Sequence, residues 1–508
     1  MDKDGRPVVA MLVDNAIDGD SRVQKAAKSL AGPDWDVHLL GIAPGKVGDE
    51  YTLGSAKVRR IPLGKKFPDN SLRRRLKRLR FPLAYKDGSR AAQKEALIRA
   101  KIVDAMAGPG RELPSDLAGE GFWNALAEAA PLRHRLRSAW IGHRVEKTRE
   151  ARRWARRRED GRLERLEADL WSKVPGIKVW RRLDKTPLRF ESAFLEHIVS
   201  LNPDIIHAHD FRMVGIAVRA RDLLRRAGRD PKVLYDCHEF VPGLERYGYK
   251  WEVSQADYES RYIDRADMIV TVGEPIAECL KETHGLDYRP EIILNAPMSY
   301  DRSDPMEVPE GEAPDVRTEF AIPPEEGIVV YAGAAAQRRG LQDVVEALPE
   351  LDSVHAVFLV PDPSKRFIGS LKTLAAELGV ADRAHFRPYV SYDRIIQYIR
   401  TADIGVYPLW RGPVNHDLAL GTKLLEYVQA ELPVVVSDAK AMADFTAKHG
   451  IGEVFTAGKP KELATALRTV LGDRERYTAP YRDRGFIDRF TWEEQYPAYD
   501  KAYRALLG

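Results

Sequence analysis

Apolar residues fall into short runs separated by amphipathic stretches, and this rhythm predicts most of the elements. The run Val8, Val9, Ala10, Met11, Leu12, Val13 reads as a buried strand. Asp20 stands where an N-cap would, ahead of Val23, Ala26, Ala27 and Leu30 at i, i+3, i+4 and i+7, which predicts an amphipathic helix. A second strand over 36–40 ends at Gly41, so the chain opens as the start of a parallel sheet. The rhythm then stops. Residues 65–185 lack strand alternation and are charged, Pro-interrupted and helical in pattern, as an insertion would be. It resumes with Phe190, Phe194, Ile198 and Leu201 on one helical face, then strands at 204–207, 232–236, 268–272 and 291–294 with helices between them. A stretch rich in Pro, Glu and Asp at 301–326 reads as a linker. A second series starts at 327–331 and continues at 354–360, 385–387, 403–407 and 433–436. Residues 486–507 form a polar, aromatic-rich helix or helix pair.

The implied class is α/β: two doubly wound, Rossmann-like domains facing a cleft. The first spans 1–300 with a basic helical insertion at about 65–189. The second spans 327–485, and 486–508 is expected to return to the first. Ligands gather at the carboxyl ends of such sheets, where helix N-termini and loop amides converge.

Composition narrows the class further. With 508 residues, 44% hydrophobic and 31% charged, the chain is globular and long enough for more than one core. Cys237 and Cys279 are too few for a disulfide framework or a four-cysteine zinc site. Residues 1–7 lack the apolar core of a signal peptide, and no run is long enough to span a bilayer, so a cytoplasmic location is expected. The net charge of +4 conceals a segregation: 65–189 holds 33 basic and 16 acidic residues, leaving the rest at −13. The segment 71–81 sets Leu72, Leu76 and Leu79 among six basic residues, and 133–158 repeats the theme with Trp140, Ile141 and Trp154. Such basic amphipathic helices suit an anionic membrane surface such as the inner face of the cell membrane; a solvated face is the other reading. No nucleic-acid-binding motif is visible, so nucleic acid is not an expected partner.

The chemistry concentrates late in the chain. Gly421 and Thr422 open a helix whose free N–H groups face an anion, Lys423 adds a cation in its first turn, and Glu426 follows where a carboxylate can accept both hydroxyls of a ribose. This suits a nucleoside diphosphate held without a Walker loop. His207 and His209 share a strand face without a completing ligand set, and Asp18-Gly19-Asp20 spells D-x-D but lies in the first βα loop with Asp20 in the capping place, so no metal is expected.

At these residues the chain resembles the retaining glycosyltransferases of family 4, which have the GT-B fold. Lys423-Leu424-Leu425-Glu426-Tyr427 followed by Leu432-Pro433-Val434-Val435-Val436-Ser437 matches its ribose-clamp helix and next strand. Glu426 corresponds to the second glutamate of its E-x7-E motif; the first falls on Leu418, with Asn415, His416 and Asp417 as nearby substitutes, and Glu431 stands where the family usually has Gly. The stretch 331–340 resembles its Gly-rich turn, Gly333 included: Arg339 takes the place of the diphosphate lysine, Ala334 replaces the arginine, and Arg338 or Lys423 could cover that loss. Asp20-Ser21-Arg22-Val23, 203–210 and Tyr235-Asp236-Cys237-His238-Glu239 resemble its first-domain segments. The resemblance implies donor contacts at Gly333, Arg338, Tyr389, Val390, Asn415, Asp417, Gly421 and Thr422. It implies catalytic roles for His238, facing the sugar, and for Arg339, Lys423 and Glu426. Asp20, Arg22, His209, Asp210 and Glu239 fall on the acceptor side, with His209 bordering the cleft. The expected reaction transfers a sugar from a nucleoside-diphosphate sugar to a saccharide or lipid-linked acceptor, with retention and without metal or cofactor, in envelope polysaccharide or glycolipid synthesis. A nucleotide-sugar epimerase of the same fold, or a non-catalytic binding protein working through the insertion, remain alternatives.

Overall fold

A computed structural model describes residues 5–64, 79–86, 88–106, 122–156, 162–245, 248–301, 303 and 307–508. It contains two parallel sheets. The first is built from β1 (Val8–Leu12), β2 (Asp36–Ile42), β3 (Asp49–Leu53), β4 (Ala56–Ile61), β5 (Ile205–His209), β6 (Lys232–Cys237), β7 (Met268–Thr271) and β8 (Glu291–Ile292). Their order is β3-β4-β2-β1-β5-β6-β7-β8, and only the β3–β4 pair is antiparallel. The second holds β9 (Gly327–Ala332), β10 (Val354–Leu359), β11 (Ala384–Arg387), β12 (Ile404–Tyr407), β13 (Val434–Ser437) and β14 (Gly452–Phe455). Its order is β11-β10-β9-β12-β13-β14, parallel throughout. The order reverses between β1 and β5 in the first sheet and between β9 and β12 in the second. These are the switch points where a crevice opens beyond the strands' carboxyl ends.

Strands β1, β5 and β12 are buried along their whole length, which explains the apolar run of β1 and the lack of apolar/polar alternation in β12, while β5 buries His207 and His209 as well. The stretch expected to be a linker behaves otherwise at its end. Val316 and Ile322 are buried in the second core, and Arg317 pairs with Asp403 at 2.9 Å, so this lobe begins before residue 327. Residues 302 and 304–306 of that stretch lie outside the described residues.

The helix Trp492–Leu507 packs on the first sheet. Trp492, Tyr499, Ala502, Tyr503 and Leu506 share one core with Val9, Met11, Val37 and Leu234. Trp492 donates from its indole to Ser29 at 2.9 Å, and its backbone N–H donates to the Pro297 carbonyl at 2.7 Å.

The chain divides into two compact units. One contains both sheets; the other comprises 66–185 with 246–254. The second unit is helical, with helices Gly88–Met106, Phe122–Ala129, Leu132–Arg156, Arg162–Ser172 and Val179–Leu183 among its described residues. Its small core gathers Ile98, Ile102, Met106, Leu126 and Ala130, with Ile141 packed against them. Tyr249 donates to Asp169 at 2.7 Å, and Lys250 pairs with Glu167 at 3.1 Å. The basic run at 71–78 lies outside the described residues, as does the Trp154 side chain. No helix among the described residues is long and apolar enough to cross a membrane.

Candidate active site

The second lobe gathers most of the expected donor residues around the β9/β12 switch point. β12 ends at Tyr407, and Gly421 caps the helix Thr422–Gln429 directly beside it. A Cβ on Gly421 would overlap the Tyr407 ring, so glycine is what lets this helix start so close to the strand end. Lys423 Nζ donates to both oxygens of Glu426, at 2.8 and 3.0 Å. It also lies 5.2 Å from the centroid of the Tyr389 ring. Burial opposes the charge on Lys423, yet Glu426 and Tyr389 outweigh it and raise its pKa, so the lysine stays an ammonium ion.

Arg339 reaches the same place from the turn after β9, its guanidinium 3.5 Å from the Tyr407 hydroxyl. The turn itself is tight. Gly340 has φ +71°, and a Cβ there would overlap the Pro408 carbonyl. Gly333 lies under the Tyr331 ring, whose hydroxyl donates to the Ala334 carbonyl at 2.9 Å. Tyr389 is 38% exposed, offering a ring face, whereas the Val390 side chain is buried in the core and has only backbone to offer a ligand.

Three expected donor residues are engaged elsewhere. Asn415 is a bridge between lobes: its Nδ2 donates to the Phe240 carbonyl at 2.7 Å, and its Oδ1 accepts from the Phe240 N–H at 2.8 Å. Asp417 accepts from Arg411 at 3.0 Å and from the Lys440 N–H at 3.2 Å. Arg338, exposed, pairs with Glu245 at 3.0 Å.

The first lobe contributes a buried network centred on Asp236, at the end of β6. Its carboxylate accepts from Arg22 at 2.9 and 2.8 Å, His209 Nδ1 at 3.1 Å, His238 Nε2 at 3.2 Å and the Tyr499 hydroxyl at 2.6 Å. Burial alone would raise its pKa, but Arg22, His238 and the hydrogen bonds hold it well below the usual carboxylate range. Burial works against a charge on His238 as well, and Asp236 overrides this, lifting the imidazole to about 9. His238 is therefore a cation at neutral pH, and it is part-exposed.

Two acceptor-side expectations are corrected here. Arg22 and His209 are buried inside the lobe, at 2% and 0% exposure, and cannot border a cleft. Arg22 also donates to the Ile293 carbonyl at 2.8 Å, so it ties the first helix to the far strands. Asp20 caps the helix Ser21–Leu30, accepting from the Val23 N–H, and takes a second hydrogen bond from Asn15 at 2.7 Å. Asp210 caps the helix Phe211–Arg226; burial and the nearby Asp14 push its carboxyl up to about 7. Glu239, half-buried next to His238, is electrostatically coupled to Arg339 of the other lobe.

Three residues that the sequence did not single out belong to the site. Tyr407 is one, and Asp236, inside the Tyr235–Glu239 motif, is another. Lys25 is the third: its Nζ donates to the Ala296 carbonyl and to Asn295 at 3.3 Å. Burial and Arg22 lower its pKa to about 7, while Glu426 and Lys423 act on it from the second lobe.

Among the described residues, His207, His209 and Asp236 bring potential metal-ligand atoms within 4.8 Å of one another. The donor set does not suit a metal, because Arg22 already occupies both Asp236 oxygens and a cation there would meet the guanidinium. Burial holds His207 neutral, and its Nδ1 is 2.7 Å from the Tyr503 hydroxyl.

Comparison with known proteins places this architecture. Residues 313–483 match the family model "Glycosyl transferases group 1", and residues 131–296 match "Glycosyltransferase Family 4". The second match begins within the helical unit rather than after it. The D-inositol 3-phosphate glycosyltransferase of Geodermatophilus obscurus is 25% identical over 258 residues, 49% of this chain and 54% of that one. Its counterpart in Nocardia farcinica is 28% identical over 232 residues, 44% and 49%. The chain thus spans about half the length of these curated relatives. Among solved structures, sucrose-phosphate synthase from Thermosynechococcus elongatus superposes with a TM-score of 0.60 over 99% of both chains at 14% identity. HepE of Anabaena, solved with UDP and glucose, gives 0.57 over 98% and 100% at 11% identity. At such identities the likeness is one of fold.

Proposed function

Starting from the chain's membership of glycosyltransferase family 4, with the GT-B fold, we propose that it transfers a glycosyl unit from a nucleoside-diphosphate sugar to a saccharide or lipid-linked acceptor, with retention of configuration. The observation that carries this is the Lys423–Glu426 pair at the head of the helix that starts on Gly421, with Tyr389 and Arg339 beside it. Each oxygen of Glu426 takes one hydrogen bond from Lys423 and keeps a lone pair for a ribose hydroxyl. Arg339, Lys423 and the first helix amides stabilise the charge that grows on the departing diphosphate. Fixed cations do there what a divalent metal would do, so the reaction proceeds without one and needs no cofactor beyond the donor.

His238, held as an imidazolium by Asp236, donates a hydrogen bond to the sugar. No protein carboxylate is assigned as base; the leaving phosphate takes the acceptor's proton. The acceptor lies against the first lobe near Asp210 and Glu239. A cytoplasmic site and a role in envelope polysaccharide or glycolipid synthesis fit this acceptor class. UDP is the first nucleotide to try, since HepE was solved with it.

The test is a panel of nucleoside-diphosphate sugars offered with a lipid extract and with soluble sugars. The expected result is release of the nucleoside diphosphate together with a glycosylated product of unchanged anomeric configuration. Isomerisation of the free sugar, or no turnover with any donor, would overturn the proposal.

A further inference from the structure

The helix Leu132–Arg156 has two apolar faces. One, with Ile141 and Val145, packs inside the helical unit. The other carries Leu132, Leu136 and Trp140 at i, i+4 and i+8, and these are 67%, 64% and 51% exposed. The sequence had grouped Ile141 with Trp140; the structure separates them, Ile141 inward and Trp140 outward. Between residues 132 and 145 there are four arginines and no acidic residue. Arg133, Arg135 and Arg137 are exposed and form no ion pair among the described residues. Leu132 and Leu136 also line a groove of about 630 Å³ together with Ile98 and Ile102 and the charged Glu95, Glu128 and Arg135.

We propose that this face is a docking surface for an anionic lipid bilayer. Three large apolar side chains, one of them a tryptophan, gain by entering the boundary between headgroups and acyl chains. The exposed arginines flanking them, which form no ion pair among the described residues, meet the anionic headgroups. A nucleic acid would match the arginines but leave the leucines and Trp140 in water. The inference stands apart from the glycosyl-transfer reading, because binding is measured with no sugar present.

The experiment uses the full chain and sedimented vesicles of phosphatidylcholine, with and without phosphatidylglycerol, at low and high salt. Wild type is expected to partition onto the phosphatidylglycerol vesicles and to weaken as salt rises. Each arginine near such a surface contributes roughly fivefold, so Arg133→Gln/Arg135→Gln/Arg137→Gln should bind on the order of a hundredfold more weakly. Leu132→Gln/Leu136→Gln/Trp140→Gln should lose the binding that survives high salt. All six positions are exposed, and circular dichroism should show both variants folded. Equal binding to both vesicle types, or unchanged binding by both variants, would overturn the proposal. So would light scattering that shows a wild-type dimer dissolved by the leucine and tryptophan changes, since the face would then belong to a second copy.

Discussion

At Asp236, side chains from four separate stretches meet on one carboxylate: Arg22 from the first helix, His209 from β5, His238 from the loop after β6 and Tyr499 from the last helix. Asp236→Asn leaves the buried Arg22 short of its counter-charge, which costs about 3–5 kcal/mol. Denaturant unfolding checks this, and a loss well below that range would show that the network is dispensable. His238 gives a signed pH effect. Its pKa rises from 6.5 to about 9, so its stabilisation is complete below 6.5 and fades as pH climbs through 9. Lys25 acts in the opposite sense, because burial lowers it from 10.5 to about 7 and folding releases its proton between those values. The difference between wild type and His238→Gln isolates the histidine: the stability gap should narrow between pH 6.5 and 10, and a constant gap would refute the assignment. For Glu426→Ala the readout is the melting temperature. A donor nucleotide at about a hundred times its Kd stabilises by roughly 2.7 kcal/mol, a shift of a few degrees, and this shift should vanish in the variant. The sequence could mark Glu426 because its partner Lys423 lies within the same turn. It could not mark Asp236 as a hub, because Arg22 and Tyr499 are 214 and 263 residues away and no local pattern announces the convergence.

Elements were legible in proportion to how fully they are buried. β1, β5, β12 and β13 are interior strands, and their runs of Val, Ile and Leu carried the signal. β3 went unread because its residues Asp49, Glu50 and Thr52 are exposed on a sheet edge and show no apolar alternation. β4 buries Ala56, Val58 and Ile61 but intersperses Lys57, Arg59 and Arg60, so its apolar positions show no regular alternation. β14 closes the other sheet with only Phe455 fully buried. The turn at Gly340 makes a test at this scale. Gly340→Ala sets a Cβ against the Pro408 carbonyl at a positive φ and should shift the Arg339 turn. The expected results are a destabilisation of about 1–3 kcal/mol and weaker nucleotide-induced thermal stabilisation; an unchanged response would separate Arg339 from the diphosphate.

Across the whole molecule, the two lobes are joined by more than the peptide chain. Asn415 holds both backbone groups of Phe240, Arg338 pairs with Glu245, and Val414 packs at Gly243. Asn415→Ala removes two hydrogen bonds at this bridge while leaving each core intact. The expected outcome is a small loss of stability, about 1–2 kcal/mol, with a larger radius of gyration in small-angle scattering; an unchanged radius would mean that other contacts suffice.

The helix Trp492–Leu507 supplies side chains to a core that begins at Val9. A nascent chain leaving the ribosome therefore carries an unfinished first lobe until residues 492–507 have been made. Domains usually mature from the N-terminus during translation. Here the later lobe can close first, while the earlier one waits with a bare hydrophobic wall for the helix Trp492–Leu507, which makes that interval the one in which chaperones have most to hold.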